Sequence, residues 1–257
     1  MRSGLVSITF RKLGVEEVIA LVRQAGLEGI EWGGDVHVPH GDLETARRVA
    51  ELTQKAGLRV AAYGSYYRVG SSEKDGLGFE KVLASAEALG APLIRVWPGI
   101  QGSSETEPSA RQWITDECRR IAMMAAEKGV RVATEYHANT LTDDPGSARR
   151  LLEEVGYPNF RTLWQPSNGR EADYCQDSLE KVAPWVENLH VFHWQPDFSN
   201  RRALAEGEKR WLSYLQRARE LEGERYALME FVPGDEPEAF LRDAAVLKSW
   251  LNGLEGA

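Results

Sequence analysis

Eight short runs rich in β-branched and aromatic residues recur along the chain, and stretches with helical periodicity lie between them. Three of these stretches end in a glycine just before the next run, at Gly26, Gly57 and Gly90, as a helix C-terminal cap would. The repeat is about 32 residues long, close to the size of one strand–helix–strand unit. The predicted strands are LVSITF (5–10), GIEWG (29–33), RVAAYGS (59–65), PLIRVWPG (92–99), RVATEYH (131–137), FRTLWQ (160–165), LHVFHW (189–194) and YALMEFV (226–232).

Eight such units predict an α/β fold in which parallel strands close into one (β/α)8 barrel. An open, doubly wound sheet would usually carry a glycine-rich phosphate-binding loop after its first strand, and ITFRKLG contains none. No linker, low-complexity tract or charge block divides the chain. We therefore expect a single domain over residues 1–257.

The overall charge and the cysteine content exclude several function classes. A net charge of −8 disfavours a nucleic-acid partner, because phosphate binding requires a positive field. The two cysteines, Cys118 and Cys175, are far apart and show no metal-type spacing. No apolar run approaches the length of a signal peptide or a membrane span. We expect a cytoplasmic protein without a membrane partner, and the pattern leaves a homo-oligomer open.

Polar residues stand near the ends of the predicted strands, where a (β/α)8 barrel places its active site. Strands five to eight end with Glu135, Gln165, His193 and Glu230. A carboxylate at the lip of a barrel is costly unless it is neutralised. Convergence of these four side chains on one divalent cation would satisfy all of them.

This pattern resembles the xylose isomerase-like barrels, which include sugar isomerases, sugar epimerases, inosose dehydratases and relatives of endonuclease IV. That family typically holds one divalent metal with Glu, Asp, His and Glu from strands five to eight. TEYH, LHVFHW and LMEFV offer Glu135, His193 and Glu230 at the matching strand ends. The resemblance covers all eight units and implies a bound Mn²⁺, Mg²⁺, Co²⁺ or Zn²⁺.

Strand six departs from the family pattern, because Gln165 stands where the family usually has Asp. We interpret Gln165 as the fourth protein ligand, through its amide oxygen. A set of Glu, Gln, His and Glu carries two negative charges, one fewer than the set with Asp. We expect weaker metal binding and a stronger Lewis acid than in relatives with Asp. The alternative is an amide that hydrogen-bonds a loop.

Two carboxylates beside a metal suit proton transfer next to a carbonyl through an enediolate. By resemblance to the ketose 3-epimerases, Glu135 and Glu230 would be the catalytic acid and base while also binding the metal. The expected function is a metal-dependent sugar isomerase or epimerase. The same site in an inosose dehydratase-like lyase would expel water. An AP endonuclease-like nuclease and a non-catalytic sugar-binding barrel are further alternatives.

Other polar and aromatic residues near the strand ends are candidates for binding a small sugar or sugar derivative. Aromatic faces beside carboxylates suit the C–H faces of a sugar, although such tryptophans can also simply fill a barrel. The candidates are Trp32, His37, Tyr66, Trp97, His137, Asn168, Trp194, Arg201 and Arg202. For His37, contact with substrate or a lid is favoured over metal ligation. His190 is predicted to face away from His193 and to be a packed residue.

Overall fold

The computed structural model describes residues 1–255, and within them eight parallel strands form a closed barrel in sequence order. β1 pairs with β8 through Gly4 and Leu228, which closes the sheet. The strands are β1 (Arg2–Val6), β2 (Gly29–Gly33), β3 (Arg59–Val69), β4 (Leu93–Pro98), β5 (Arg131–Glu135), β6 (Phe160–Trp164), β7 (Val186–Val191) and β8 (Tyr226–Met229). The expected (β/α)8 architecture is confirmed.

One α-helix follows each strand and packs on the outside of the barrel. The helices are α1 (Val15–Ala25), α2 (Leu43–Lys55), α3 (Phe79–Leu89), α4 (Pro108–Ala126), α5 (Pro145–Val155), α6 (Ala172–Val182), α7 (Glu208–Arg219) and α8 (Pro237–Glu255). Across residues 1–255, no helix is long and apolar enough to cross a membrane.

The predicted helix ends follow from local chemistry. Gly26 and Gly90 adopt the left-handed conformation directly after α1 and α3, with φ of 66° and 70°. Only glycine reaches this conformation without a steric penalty, so each helix stops there. Asp42 begins α2 by accepting a hydrogen bond from the Thr45 backbone N–H at 3.0 Å.

The inside of the barrel is filled by small and branched side chains. A cluster of Ala62, Leu93, Ala133 and Leu163 occupies the interior, where every member is almost fully buried. The large side chains of Trp32 and Trp164 lie instead between the strands and the helices, where they hydrogen-bond Thr53 and Ser178. The apolar side chains of the cluster close the interior of the barrel below the C-terminal ends of the strands.

β7 begins earlier than the sequence predicted, at Val186 instead of residue 189, and it ends at Val191. The polar residues in its first half have partners within the barrel. Glu187 pairs with Arg131 at 3.1 Å and with Arg161 at 2.8 Å, and the Asn188 side chain accepts from the Tyr226 backbone N–H at 2.8 Å. The aromatic residues after Val191 belong to the following loop.

The first and third strands also differ from their predicted bounds. β1 covers Arg2–Val6, and Ser7–Phe10 forms a 3-10 turn in place of the strand predicted at 5–10. β3 continues to Val69, and its pairing with β4 shifts between Gly64 and Tyr67. This irregularity holds Tyr66 with a φ of 55° and leaves its side chain over the mouth of the barrel.

Candidate metal and substrate site

Two carboxylates and one imidazole meet near the C-terminal end of the barrel. Glu135 ends β5, His190 lies on β7, and Glu230 directly follows β8. Each offers a ligand atom, and the three atoms lie within 4.8 Å of one another. His190 Nδ1 lies 3.8 Å from Glu135 Oε1 and 3.5 Å from Glu230 Oε2. Two hard oxygen donors and one imidazole fit a divalent cation.

Gln165 reaches the same cluster from the end of β6. Its side-chain Oε1 lies 3.2 Å from His190 Nδ1, and the residue is 8% exposed. The structure thus brings together Glu135, Gln165 and Glu230, three of the four predicted ligands. The amide oxygen of Gln165 thus faces the ligand atom of His190 in this cluster.

The fourth predicted ligand, His193, is not part of the cluster, and His190 stands in its place. His193 lies two residues beyond the end of β7, in a loop beside Gly207. β7 ends at Val191, and side chains alternate along a strand. The residue of β7 that points into the barrel at the level of Glu135 is therefore His190. The prediction that His190 faces away from the site was wrong for this reason.

A buried network of ion pairs lies beneath the cluster and includes Glu135 itself. Its other members, Glu31 and Arg95, had no role assigned from the sequence. Arg95 Nε donates to Glu31 Oε1 at 2.7 Å, and its Nη1 donates to Glu135 Oε2. Glu31 also lies 3.1 Å from His190 Nε2 through its other oxygen. The network is buried, because none of its three side chains is more than 3% exposed: those of Glu31, Arg95 and Glu135. The signal in the sequence was an ionisable residue inside each of the apolar strands GIEWG and PLIRVWPG.

The charges in the cluster set its protonation. Burial alone would raise the pKa of Glu135, but the charges of Arg95 and His190 outweigh it and hold that pKa at about 2. Burial alone would lower the pKa of His190, but Glu230 and Glu31 raise it to about 10. In the absence of a cation, the imidazolium of His190 therefore supplies positive charge among the carboxylates.

The cluster lies at the base of a cavity of about 580 Å³, which is the size of a small-molecule site. Tyr66, Trp97 and Trp194 form an aromatic part of its wall. Within the described chain, Tyr66 Oη and Trp194 Nε1 are buried without a hydrogen-bond partner. Such groups commonly meet a ligand or water.

Five of the nine predicted substrate-binding residues line this cavity: Tyr66, Trp97, His137, Asn168 and Trp194. His137 lies beside Trp97, with ring centroids 5.0 Å apart, and its Nδ1 is 2.7 Å from the Ala138 carbonyl oxygen. If Nδ1 carries the proton, Nε2 is an acceptor for a substrate hydroxyl.

Trp32 and His37 do not reach the cavity, which corrects their predicted role. Trp32 is fully buried against α2, where its Nε1 donates to Thr53 Oγ1 at 3.1 Å. Successive side chains on a strand alternate, so the inward direction of Glu31 forces Trp32 outward. His37 packs on Trp32 and contacts the Leu13 carbonyl oxygen at 3.1 Å.

Arg201 and Arg202 also lie outside the cavity lining. Arg201 forms an ion pair with Asp235, and its guanidinium lies 4.3 Å above the ring of Phe231, which does line the cavity. Arg202 Nε donates to the Gln195 carbonyl oxygen at 2.9 Å. Both arginines hold loops together, and Arg201 supports the wall from behind.

Comparison with known proteins gives a family and several related structures. A family model described as xylose isomerase-like TIM barrel matches residues 19–250. A 3-dehydroshikimate dehydratase from Bacillus anthracis is 28% identical over 207 residues, which cover 74% of this chain and 71% of that protein.

Two solved structures share the fold at lower identity. The probable 3-DHS dehydratase AsbF involved in petrobactin synthesis in Bacillus anthracis has a TM-score of 0.83 at 22% identity, with 96% of this chain and 99% of that chain covered. A D-psicose 3-epimerase from Clostridium cellulolyticum H10, solved with D-tagatose, has a TM-score of 0.74 at 14% identity, with coverage of 99% and 98%.

Proposed function

The chain belongs to the xylose isomerase-like TIM barrel family, and from this premise we propose that it is a divalent-metal-dependent lyase. It would remove a proton next to the carbonyl of a small cyclic hydroxyketone and expel water. The observation that carries the proposal is the buried cluster of Glu135, His190 and Glu230 at the base of a cavity. The dehydratase relative supports the choice of reaction and names 3-dehydroshikimate as the first substrate to test.

The donor set fits the proposed metal. Glu135, His190 and Glu230, with Gln165 as the fourth donor, would hold it. With neutral His190, the carboxylates of Glu31, Glu135 and Glu230 and the guanidinium of Arg95 sum to a charge of −2, which a divalent cation neutralises. The bound ion would supply a Lewis acid that polarises the substrate carbonyl.

The two carboxylates of the cluster are unequal, and this difference assigns their roles. Glu135 Oε2 accepts from both Arg95 and Trp97, whose Nε1 is 2.6 Å away, and the pKa of Glu135 is held at about 2. A carboxylate of such low basicity is a poor proton acceptor. Glu230 lies 3.5 Å from His190 Nδ1 but accepts from no arginine or tryptophan among the described residues, so it is the proposed base.

The asymmetry also favours elimination over epimerisation. Epimerisation at one carbon needs a base on one face and an acid on the other, and Glu135 is fixed as an ionised group. In the proposed reaction Glu230 takes the C–H proton, the C–H electron pair forms the double bond as the C–O bond of the β-hydroxyl breaks, and Glu230 returns that proton to the departing oxygen, which leaves as water. His137, on the cavity wall, is the proposed hydrogen-bond partner of that hydroxyl.

A sugar isomerase or epimerase is the second candidate. It is favoured by the aromatic wall of Tyr66, Trp97 and Trp194, which suits the C–H faces of a sugar. The barrel of the D-psicose 3-epimerase shows that the same fold accommodates such an enzyme. Here Glu135 and Glu230 would act from opposite sides of the substrate.

One experiment separates these reactions. Protein loaded with Mn²⁺ is incubated in deuterated water with 3-dehydroshikimate and, separately, with a panel of ketoses and aldoses, and products are followed by NMR and mass spectrometry. Loss of water from 3-dehydroshikimate is the expected result. Deuterium entering a sugar at carbon without loss of water would favour the isomerase or epimerase instead.

A further inference from the structure

The carboxylate of Glu31 contacts two different parts of the proposed metal site without belonging to it. Its Oε1 accepts from Arg95 Nε at 2.7 Å, and its Oε2 lies 3.1 Å from His190 Nε2. We propose that Glu31 is a positioning residue, which directs the Nδ1 of His190 to the cation and, through Arg95, restricts Glu135 to one ligating oxygen. This inference rests on the metal site of the proposed function.

The first step concerns the imidazole. An ionised carboxylate only accepts hydrogen bonds, so the His190 nitrogen that faces Glu31 must carry a hydrogen. That nitrogen is Nε2, at 3.1 Å, while Nδ1 points toward Gln165, Glu135 and Glu230. When the ring is neutral, its lone pair is therefore on Nδ1, the atom that faces the cluster.

The second step concerns Glu135. Arg95 spans the distance between Glu31 and Glu135, and it donates to each through a different nitrogen. Its contact with Glu135 is to Oε2, which also accepts from Trp97 Nε1 at 2.6 Å. With Oε2 occupied by two donors, Oε1 is the oxygen left for the cation, and it is the one that lies 3.8 Å from His190 Nδ1.

The neighbouring strand leaves room for this arrangement. Gly64 on β3 has no side chain, and a Cβ placed there would lie 2.7 Å from Arg95 Nη2 and 2.9 Å from Glu31 Oε1. Both distances are too short for real contacts, so any other residue at position 64 would displace the pair. The packing around the site thus accommodates Glu31 and Arg95 as a unit.

Glu31→Gln tests the inference because an amide has one acceptor oxygen and one NH₂ group. The Arg95 guanidinium takes the oxygen, so the NH₂ faces His190 Nε2 and forces the ring hydrogen onto Nδ1. We expect the affinity for Mn²⁺, measured by isothermal titration calorimetry, to fall by roughly 10–100-fold. Affinity within about twofold of the unaltered chain would overturn the inference.

Glu28→Gln is the matched control. Glu28 accepts from Arg2 at 3.0 Å, as Glu31 accepts from Arg95, but this pair is partly exposed at the opposite end of the barrel. Its replacement removes the same charge and should leave the Mn²⁺ affinity unchanged. Circular dichroism of both variants verifies that the barrel is folded.

A second measurement uses the unaltered chain and so does not depend on the folding of a variant. In protein loaded with Zn²⁺, ¹⁵N NMR of the histidine side chains should show His190 protonated at Nε2 and metal-bound at Nδ1. The reverse tautomer would overturn the inference while leaving the proposed function intact. Failure of the unaltered chain to bind Mn²⁺ or Zn²⁺ would overturn the proposed metal site and the inference together.

Discussion

The imidazole of His190 lies among carboxylates on three sides, whereas His193 lies in the adjacent loop, so the two residues form a natural test pair. We expect His190→Ala to lower Mn²⁺ affinity by more than about 100-fold, since even outer partners of metal ligands contribute 10–100-fold. His193→Ala should keep the affinity of the unaltered protein. Calorimetric titration of both variants tests this, and equal losses in both would contradict the assignment of His190.

Gln165 is the proposed fourth donor, and it stands where the family pattern has Asp. The Gln165 Oε1 lies 3.2 Å from His190 Nδ1, and Gln165→Asp replaces this amide by a carboxylate, so it should tighten Mn²⁺ binding and raise metal content at limiting metal. Asn168→Asp is the control. It adds the same charge at an exposed position on the cavity wall, outside the cluster. Metal content that is equal in Gln165→Asp and in the unaltered chain would count against ligation by residue 165.

The direction of a single side chain depends on where its strand begins and ends, and this limited the sequence-based prediction. Glu135, Gln165 and Glu230 were placed in the cluster because each stands at or directly after a strand end. His190 was missed because β7 ends at Val191, three residues before the predicted end at residue 194. Trp32 was misassigned because it neighbours an inward-facing residue, Glu31, whose burial a pattern of hydrophobicity does not reveal.

At the scale of elements, Trp164 connects one strand to two helices. Its Nε1 donates to Ser178 on α6 at 2.9 Å, and its ring packs edge-on against Tyr214 on α7 at 5.1 Å. We expect Trp164→Ala to reduce the free energy of unfolding by about 3–5 kcal/mol, through lost burial and the resulting cavity. Urea unfolding followed by circular dichroism measures the change.

The control for this substitution is Trp113→Ala. Trp113 lies on α4 and is 51% exposed, so its replacement should change the free energy of unfolding by no more than about 0.5 kcal/mol. A similar loss in both variants would show that tryptophan burial between strands and helices does not determine stability here.

Strands and helices were predictable because each one carries its own signal. Glycines such as Gly26 and Gly90 mark helix ends locally, and all eight strand runs correspond to strands of the barrel. The extension of β3 to Val69 was not predictable, because the shift between Gly64 and Tyr67 arises from pairing with β4. Irregular pairing depends on two strands together, so the sequence of one strand alone does not predict it.

At the scale of the whole molecule, the buried charges make stability depend on pH. Without metal, the pKa of Glu135 is lowered to about 2, so its contribution is present above its ordinary value of 4.5 and is lost as pH falls toward 2. The pKa of His190 is raised to about 10, so its contribution is complete below its ordinary value of 6.5 and is lost as pH rises through 10. Chelator-treated protein should therefore be most stable between about pH 4.5 and 6.5 by urea titration.

Added Mn²⁺ should change this profile, because metal ligation requires His190 without its second proton. The increase in urea midpoint on adding Mn²⁺ should be larger at pH 8 than at pH 5.5, because the proton on His190 competes with the ion more strongly at the lower pH. An equal increase at the two pH values would contradict ligation by His190. His193→Ala should show the same dependence as the unaltered chain.

The placement of Arg95 between Glu31 and Glu135 also constrains how the chain can change by mutation. Removing one member of a buried ion pair while leaving its partner typically costs about 3–5 kcal/mol, a large part of the margin that keeps a protein folded. Replacement of both partners by well-packed apolar residues avoids that penalty. During divergence, positions 31 and 95 should therefore be substituted jointly, and descendants that lose one of these charges should have lost the other as well.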